Sequence, residues 1–208
     1  MKKTAFTLFG ILAMGSAIVF AQSGTKPTAA TYITDEEVKS VNALPGVDRT
    51  IKVVDIGPEN FAVGIIHRAA SGGAGGGRTF TPTTERCGET NPNVPADPAS
   101  SGITHDSQTE GYVIVSGGGT LVTGGHIVNG RRSGADSDVT KVLNGPSCSG
   151  PIAGADVVKR VVKTGDIIII PAGVPHGWTD ITDHVDYLSF RPSARVLEAG
   201  YTNPAIKK

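Results

Sequence analysis

Turn-forming residues dominate this sequence, with 28 glycines and 13 prolines among 208 positions. Glycine inside a helix costs about 1 kcal/mol relative to alanine and proline about 3 kcal/mol, so long helices are excluded over most of the chain. The glycines cluster, as at Gly72, Gly73 and Gly117 to Gly119, without recurring every third residue, which excludes a collagen helix. Between the clusters run short apolar segments with the period of two that half-buried strands require. Hydrophobic residues make up 38% and charged residues 18%, enough apolar material for one core and too little charge for a disordered chain. Basic and acidic side chains balance at 19 each, so no strong field exists to hold nucleic acid or an anionic membrane, and neither is expected as a partner.

The first residues point to export. Lys2 and Lys3 precede an uncharged apolar stretch over 6–20, and Val19 and Ala21 provide the small residues of a cleavage site. A membrane-spanning helix needs roughly 20 apolar residues, more than this stretch offers. Residues 1–21 are therefore read as a secretory signal peptide, with a secreted or periplasmic mature chain beginning at Gln22. Its removal leaves 17 basic against 19 acidic side chains and takes away both methionines. Export bears on Cys87 and Cys148, the only two cysteines. An oxidising compartment permits them to join, closing a loop of about 60 residues worth about 4 kcal/mol. Two free thiols are the other reading, while metal binding through them is disfavoured because neither sits in a CxxC or Cys/His spacing.

Thr34-Asp35-Glu36-Glu37 has the form of a helix capping box, ahead of Val38, Val41 and Leu44 at helical spacing. This predicts a short helix ending before Pro45-Gly46. Strands are expected over 50–56, 61–70, 111–116, 120–123, 126–129, 156–163, 166–170, 175–179 and 184–191. In the second of these, Phe61, Val63, Ile65 and His67 share one face, which reads as the core-directed one. Two stretches, 71–102 and 130–154, lack any clear period and are expected as long loops carrying Cys87 and Cys148. The glycine-rich part over 71–77 is not a phosphate cradle, since no Gly-Lys-Ser/Thr ending and no amphipathic helix follow it. Short strands punctuated by glycine suggest a closed antiparallel barrel or sandwich.

Two segments carry chemistry. In the first, His105, Glu110 and Gly117 are spaced as H-x4-E-x6-G; in the second, Gly165, Pro171, Gly173 and His176 are spaced as G-x5-P-x-G-x2-H. As a pair they resemble the two motifs of the cupin family, G-x5-H-x-H-x3-4-E-x6-G and G-x5-P-x-G-x2-H-x3-N. The chain departs from that pattern at Ile103, which stands where the first histidine is usual, and at Asp180, which stands for the asparagine. The resemblance implies an all-β protein: a single-domain, RmlC-like antiparallel jelly-roll β-barrel over 49–192. A signal peptide (1–21) and an N-terminal tail with the short helix (22–48) would precede it, and a C-terminal tail (193–208) would follow. It also implies a divalent metal held by His105, Glu110 and His176, and it allows a homodimer paired through the sheets.

The residues themselves say how such a site would form. The odd offset from His105 to Glu110 puts the two on opposite faces of any straight strand, so a bend within Asp106-Ser107-Gln108 is needed for them to converge. A turn at Pro171-Ala172-Gly173 returns the chain with His176 and, by parity, Trp178 directed inward. An inward Glu110 likewise brings Tyr112 and Ile114 inside, and Ile103 shares the parity of His105. Two imidazoles and a carboxylate favour Fe, Mn, Ni, Zn or Cu over Mg or Ca and leave coordination positions open. The leading expectation is thus a metal-dependent dioxygenase, isomerase or lyase acting on a small oxygenated organic molecule. Trp178, Ile103 and Ile114 would line its substrate pocket, with Tyr112 and His67 as catalytic groups. For His67 the competing reading is a satisfied core histidine; His126 is read as a surface residue and His184 as part of a charged cluster at the rim. The alternative function is a metal-free cupin binding a small molecule or carbohydrate, and a third reading has Tyr112, Trp178 and Phe190 plugging the interior.

Overall fold

The computed structural model describes residues 26–71, 85–93, 100–193 and 197–206. The signal peptide and nearly all of the glycine-rich stretch after Ser71 lie outside the described residues. The single α-helix among them, α1 (Asp35–Asn42), forms where the capping box predicts it. The Glu37 N–H donates to the Thr34 hydroxyl while the Thr34 N–H donates to the Glu37 carboxylate, and Lys52 pairs with that carboxylate at 2.8 Å. At the other end Arg49 donates to the carbonyls of Asn42 and Leu44, which the helix leaves unpartnered. Among the described residues no helix is long and apolar enough to cross a membrane.

Twelve strands make the rest: β1 (Asp48–Asp55), β2 (Asn60–Ala69), β3 (Arg86–Cys87), β4 (Ser100–His105), β5 (Glu110–Thr123), β6 (His126–Ile127), β7 (Gly130–Arg132), β8 (Ser147–Ala153), β9 (Val158–Lys163), β10 (Ile167–Ile170), β11 (His176–Thr179) and β12 (His184–Ser193). All pair antiparallel. One sheet runs β1-β2-β12-β5-β10 and the other β9-β5-β11-β4-β8-β7-β3, with β6 beside β8. Four strands of one sheet, β2-β12-β5-β10, therefore face four of the other, β4-β11-β5-β9. This is the double Greek key of a jelly roll, the fold of the cupins. The expected architecture is the observed one.

Strand β5 belongs to both sheets. Glu110 to Gly117 lie between β12 and β10, whereas Gly118 to Thr123 lie between β9 and β11. The chain turns from one sheet to the other at Gly117, which has φ +66° and where any Cβ would overlap the His184 carbonyl. Only glycine adopts that conformation without strain there. What the sequence presents as two strands separated by a glycine cluster is one strand bent at its middle.

Where the two stretches without periodicity are described, they hold strands, β3 and the start of β4 in the first. Residues 130–154 hold β7, a π-helical turn over Val139–Leu143, and β8, which pairs with β4 from Ser100↔Ile152 to His105↔Ser147. The composition of β8, Ser-Cys-Ser-Gly-Pro-Ile-Ala, has no strand alternation. It is held by its ladder to β4 and by a disulfide from Cys148 to Cys87 of β3, so both cysteines sit on strands and neither is free. Cys148 packs with Val122, Ile127 and Ile152 in one of the four apolar clusters.

The outer face of β1 and β2 is covered twice. Val41 of α1 buries against Ile51 and Ile65, with Ala205 and Ile206 packed beside them. Residues 197–206 also run along β1, where the Val53 N–H donates to the Tyr201 carbonyl and the Asn203 N–H to the Ile51 carbonyl. As a result β2 is apolar on both faces. Its face of Phe61, Val63, Ile65 and His67 looks outward, under the helix and the C-terminal segment. Gly64, Ile66 and Arg68 face the barrel interior. His67, expected beside the metal, is on the outer face with 43% of its side chain exposed, its Nδ1 2.6 Å from Asp186.

The disulfide generates a prediction. Replacing Cys87 and Cys148 together by alanine removes a cross-link between positions 61 apart. The expected cost is about 4 kcal/mol, or about 10 °C in melting temperature for a chain of this size, measured by calorimetry against the oxidised wild type. An unchanged melting temperature would show that β8 is held by its ladder alone.

Candidate metal centre

Three side chains meet inside the barrel at the end where β4 leaves one sheet and β5 enters the other. His105 is the last residue of β4 and Glu110 the first of β5; the chain crosses between the sheets through 106–109, which supplies the bend that their odd spacing demands. His176 opens β11 immediately after the turn at Pro171-Ala172-Gly173, and its register partner on β4 is Ile103. The backbones of β4 and β11 approach closely here because the next register pair is Gly177 with Gly102, and a Cβ at Gly177 would lie 2.6 Å from the Ser101 carbonyl. Ile103, His105 and His176 thereby share one inner face, as parity requires.

His105, Glu110 and His176 are all buried, and their ligand atoms lie within 4.8 Å of one another. Each imidazole points Nε2 at the same oxygen, Glu110 Oε2, at 3.1 Å. The other ring nitrogens are committed. His176 Nδ1 is 3.1 Å from the Val174 carbonyl, which can only accept, so that nitrogen donates. His105 Nδ1 is 2.9 Å from the Ser147 hydroxyl, which itself donates to the Gly145 carbonyl at 2.8 Å and thus accepts from the ring. With Nδ1 protonated in both neutral rings, two Nε2 lone pairs face a carboxylate oxygen. That convergence repels itself until a proton or a cation sits among the three atoms.

The carboxylate is held from all sides. Oε1 accepts from Arg191 Nε at 2.7 Å and from the Ser189 hydroxyl at 3.1 Å, and Oε2 accepts from the Tyr112 hydroxyl at 2.6 Å. Burial alone would raise the Glu110 pKa, but the charge of Arg191, together with His105 and His176 when a proton lies between ring and carboxylate, holds it well below the usual carboxylate range. Burial lowers the pKa of His105, against the pull of Glu110, and so favours the neutral ring that a metal needs. Burial next to Glu110 drives the Tyr112 hydroxyl well above its ordinary value, which keeps it a donor. Arg191, almost wholly buried, also donates to Asp48 at 2.8 Å and to the Leu143 carbonyl at 2.7 Å.

A cavity of about 220 Å³ opens onto the three residues, lined also by Tyr112, Ile103 and Arg68. The interior is therefore not plugged by Tyr112, Trp178 and Phe190. Phe190 is on the outer face against Phe61, with ring centroids 6.3 Å apart. Ile114 is 1% exposed in the apolar cluster around Tyr112 and Tyr187, one pleat deeper than the cavity wall where it was expected. Trp178 stacks on Tyr187 at 5.3 Å and lines, with His67, a second and outer pocket of about 710 Å³ that shares Val47 and Arg68 with the first. His126 is on the surface with its Nε2 2.9 Å from Glu89, and His184 joins Asp183 and Ser116 at the rim.

Sequence reasoning missed Arg191, Arg68, Tyr187 and Ser189. The signal for three of them was parity on β12, whose alternation of burial is unbroken from His184 to Ser193. Val185, Tyr187, Ser189 and Arg191 occupy its inner phase, and an arginine in that phase must find a buried partner. Arg68 occupies the inner phase of β2, which looked outward only because both faces of that strand are apolar.

No protein-family description and no curated protein matches this chain. Similar solved structures include protein BH2720 from Bacillus halodurans, at 13% identity and TM-score 0.39 over 82% of this chain and 86% of that one. A Klebsiella pneumoniae protein with a double-stranded beta-helix domain matches at 12% identity and TM-score 0.36, covering 80% of this chain and 94% of its own. An oxalate oxidase matches at 14% identity and TM-score 0.33, over 94% of this chain and 71% of that one.

The ion pair inside the site can be tested without any ligand. Replacing Arg191 by Met leaves Glu110 and Asp48 as buried carboxylates without their shared cation, at an expected cost of about 3–5 kcal/mol in chemical denaturation. Adding Glu110→Gln to that variant should recover part of the loss. Equal stability of wild type and Arg191→Met would show that the pair does not hold the interior together.

Proposed function

We propose that this chain is a divalent-metal-dependent enzyme acting on a small oxygenated organic molecule, with His105, Glu110 and His176 as the metal ligands. The observation that carries the reading is the meeting of two Nε2 lone pairs and a carboxylate oxygen in a buried cavity, each ring locked by a hydrogen bond at its other nitrogen. This is the arrangement in which supporting groups orient the ligands before a metal arrives. The donor set fits Fe, Mn, Ni, Zn or Cu. A metal held by these three residues would polarise a substrate oxygen and leave positions open for it.

The chain's own groups complete the site. Arg191 and Ser189 fix Oε1 of Glu110, so that Oε2 stays aimed at the histidines. Tyr112, held protonated by burial, donates to Oε2 and is placed to donate to a substrate oxygen arriving beside it. Ile103 and Ile66 give the wall its apolar part, beside the hydroxyls of Ser101, Ser149 and Tyr187. The reaction is of the dioxygenase, isomerase or lyase class. His67 has no part in it, since it lies on the outer face of β2.

The second reading, a metal-free pocket that binds a small molecule or carbohydrate, is favoured by one feature. Arg191 and Tyr112 already neutralise and hydrogen-bond Glu110. Metal titration separates the two. Calorimetry with Mn, Fe, Ni and Zn should show one site per chain in the wild type and none in His176→Ala, because two remaining ligands are too few for a labile first-row metal. Ile103→His, opposite His176 in the register, should add a fourth ligand and raise affinity by about tenfold or more. Unaltered affinity in His176→Ala would remove this centre from consideration.

Export and a homodimer belong to the same proposal. The disulfide supports an oxidising compartment, secreted or periplasmic. The edge strands β9 and β10, with Val161, Ile167 and Ile169 mostly exposed, support pairing through the sheets. Intact mass of the protein from its native host should place Gln22 at the N-terminus; a chain retaining Met1 would refute the export reading.

A further inference from the structure

Among the described residues the charges around the inner cavity balance before any metal enters. With both histidines neutral, Glu110 and Asp48 carry two negative charges, and Arg191 and Arg68 carry two positive ones. Arg191 spends its guanidinium on Glu110, Asp48 and the Leu143 carbonyl. Arg68 does not. Its Nε donates to the Tyr187 hydroxyl at 3.0 Å, and that is the one hydrogen bond it makes among the described residues. The Tyr187 ring in turn packs 4.4 Å from the ring of Tyr112, whose hydroxyl is on Glu110. A guanidinium fixed at Nε presents its two terminal nitrogens as a fork, the geometry that matches a carboxylate. Arg68 lines both the inner cavity and the outer pocket, and so stands between the two.

From this placement we infer that Arg68 is the anion-recognising residue of the cavity and that the molecule it admits is a small carboxylic acid. The acid's carboxylate pairs with the Arg68 fork, and its apolar body lies against Val47, Ile66 and Ile103. The inference rests on the metal reading for what the far end of the acid meets, and that reading adds to it. A divalent cation in a charge-balanced cavity leaves an excess of two positive charges, which an anionic ligand offsets. The volume of about 220 Å³ limits the acid to a few carbons. Val47, Ile66 and Ile103 in the lining favour an acid that carries an apolar body over inorganic phosphate, which has none.

The test is calorimetric titration of the full chain, both metal-free and loaded with Mn, using propionate and lactate against their neutral isostere propionamide and against inorganic phosphate. The wild type should bind the carboxylates about tenfold or more tightly than propionamide, as expected for a charge-assisted hydrogen bond in a buried site. Arg68→Gln should abolish that preference and Arg68→Lys should retain part of it, with metal affinity and melting temperature in Arg68→Lys close to wild type. A merely structural role for Arg68 would lower stability without changing the ratio of acid to amide. The inference is overturned if that ratio is unchanged in both variants, if phosphate outcompetes the acids, or if the wild type binds no carboxylate. Failure of the metal reading looks different: Mn then does not bind the wild type, whereas the metal-free comparison of acid with amide still reads Arg68.

Discussion

Glu110 is where the structure's constraints meet. Its carboxylate is closed in by Arg191 and Ser189 from β12, by Tyr112 two residues along its own strand, and by imidazoles from β4 and β11. Those strands come from both sheets, so a single buried charge spans the barrel. A carboxylate so far from water is tolerable only when its partners are all in place. The fold and the site are therefore mutually dependent, because the strands that hold the charge are held in position by it. Arg191 extends the dependence to β1 through Asp48 and to the π-helical turn through the Leu143 carbonyl.

The same economy shows in how the imidazoles are aimed. Ser147 lies opposite His105 in the β4–β8 register, and Cys148 follows it immediately in the chain. A hydroxyl that orients a ligand ring is thus one residue from the cross-link that pins its strand. His176 uses a carbonyl two residues earlier in its own turn, so the Pro-x-Gly segment both reverses the chain and fixes the ring. Gly102 and Gly177 let the two ligand-bearing strands approach at the adjacent register pair.

Much of this was legible in the sequence where the signal was local. The capping box of Thr34 and Glu37, the turn before His176, the bend between His105 and Glu110, and the equal parity of Ile103 and His105 all follow from backbone geometry. The jelly-roll order followed from resemblance to a known pattern of spacings, since alternation alone does not choose between barrel and sandwich. What failed was any inference that needed to know which face of a strand was covered. On β2 the helix and the C-terminal segment hide an outer face that would otherwise be polar, and so His67 and Arg68 exchange the sides that hydrophobicity assigned to them. Strand β8 was invisible because its order comes from a partner strand and a disulfide and not from its own side chains. Trp178 obeys parity at its backbone, but it sits past the cavity, stacked on a tyrosine that lies on a strand the motifs do not reach.

The locked ring nitrogens have a kinetic meaning as well as a geometric one. A histidine whose proton sits on the wrong nitrogen must exchange it through solvent before it can ligate, and in a closed interior that exchange is slow. Here the carbonyl of Val174 and the hydroxyl of Ser147 have already chosen the tautomer in both rings. An arriving cation finds both rings already turned to ligate, with no ring to rotate, and it takes the place of whatever proton the rings share with Glu110. The tempo of loading is then set outside the rings. Arg68, which lines the same cavity, carries a charge like the ion's. A companion anion that neutralises this arginine would ease the ion's approach, so the pace of loading becomes a property of the cavity wall and not of the ligands.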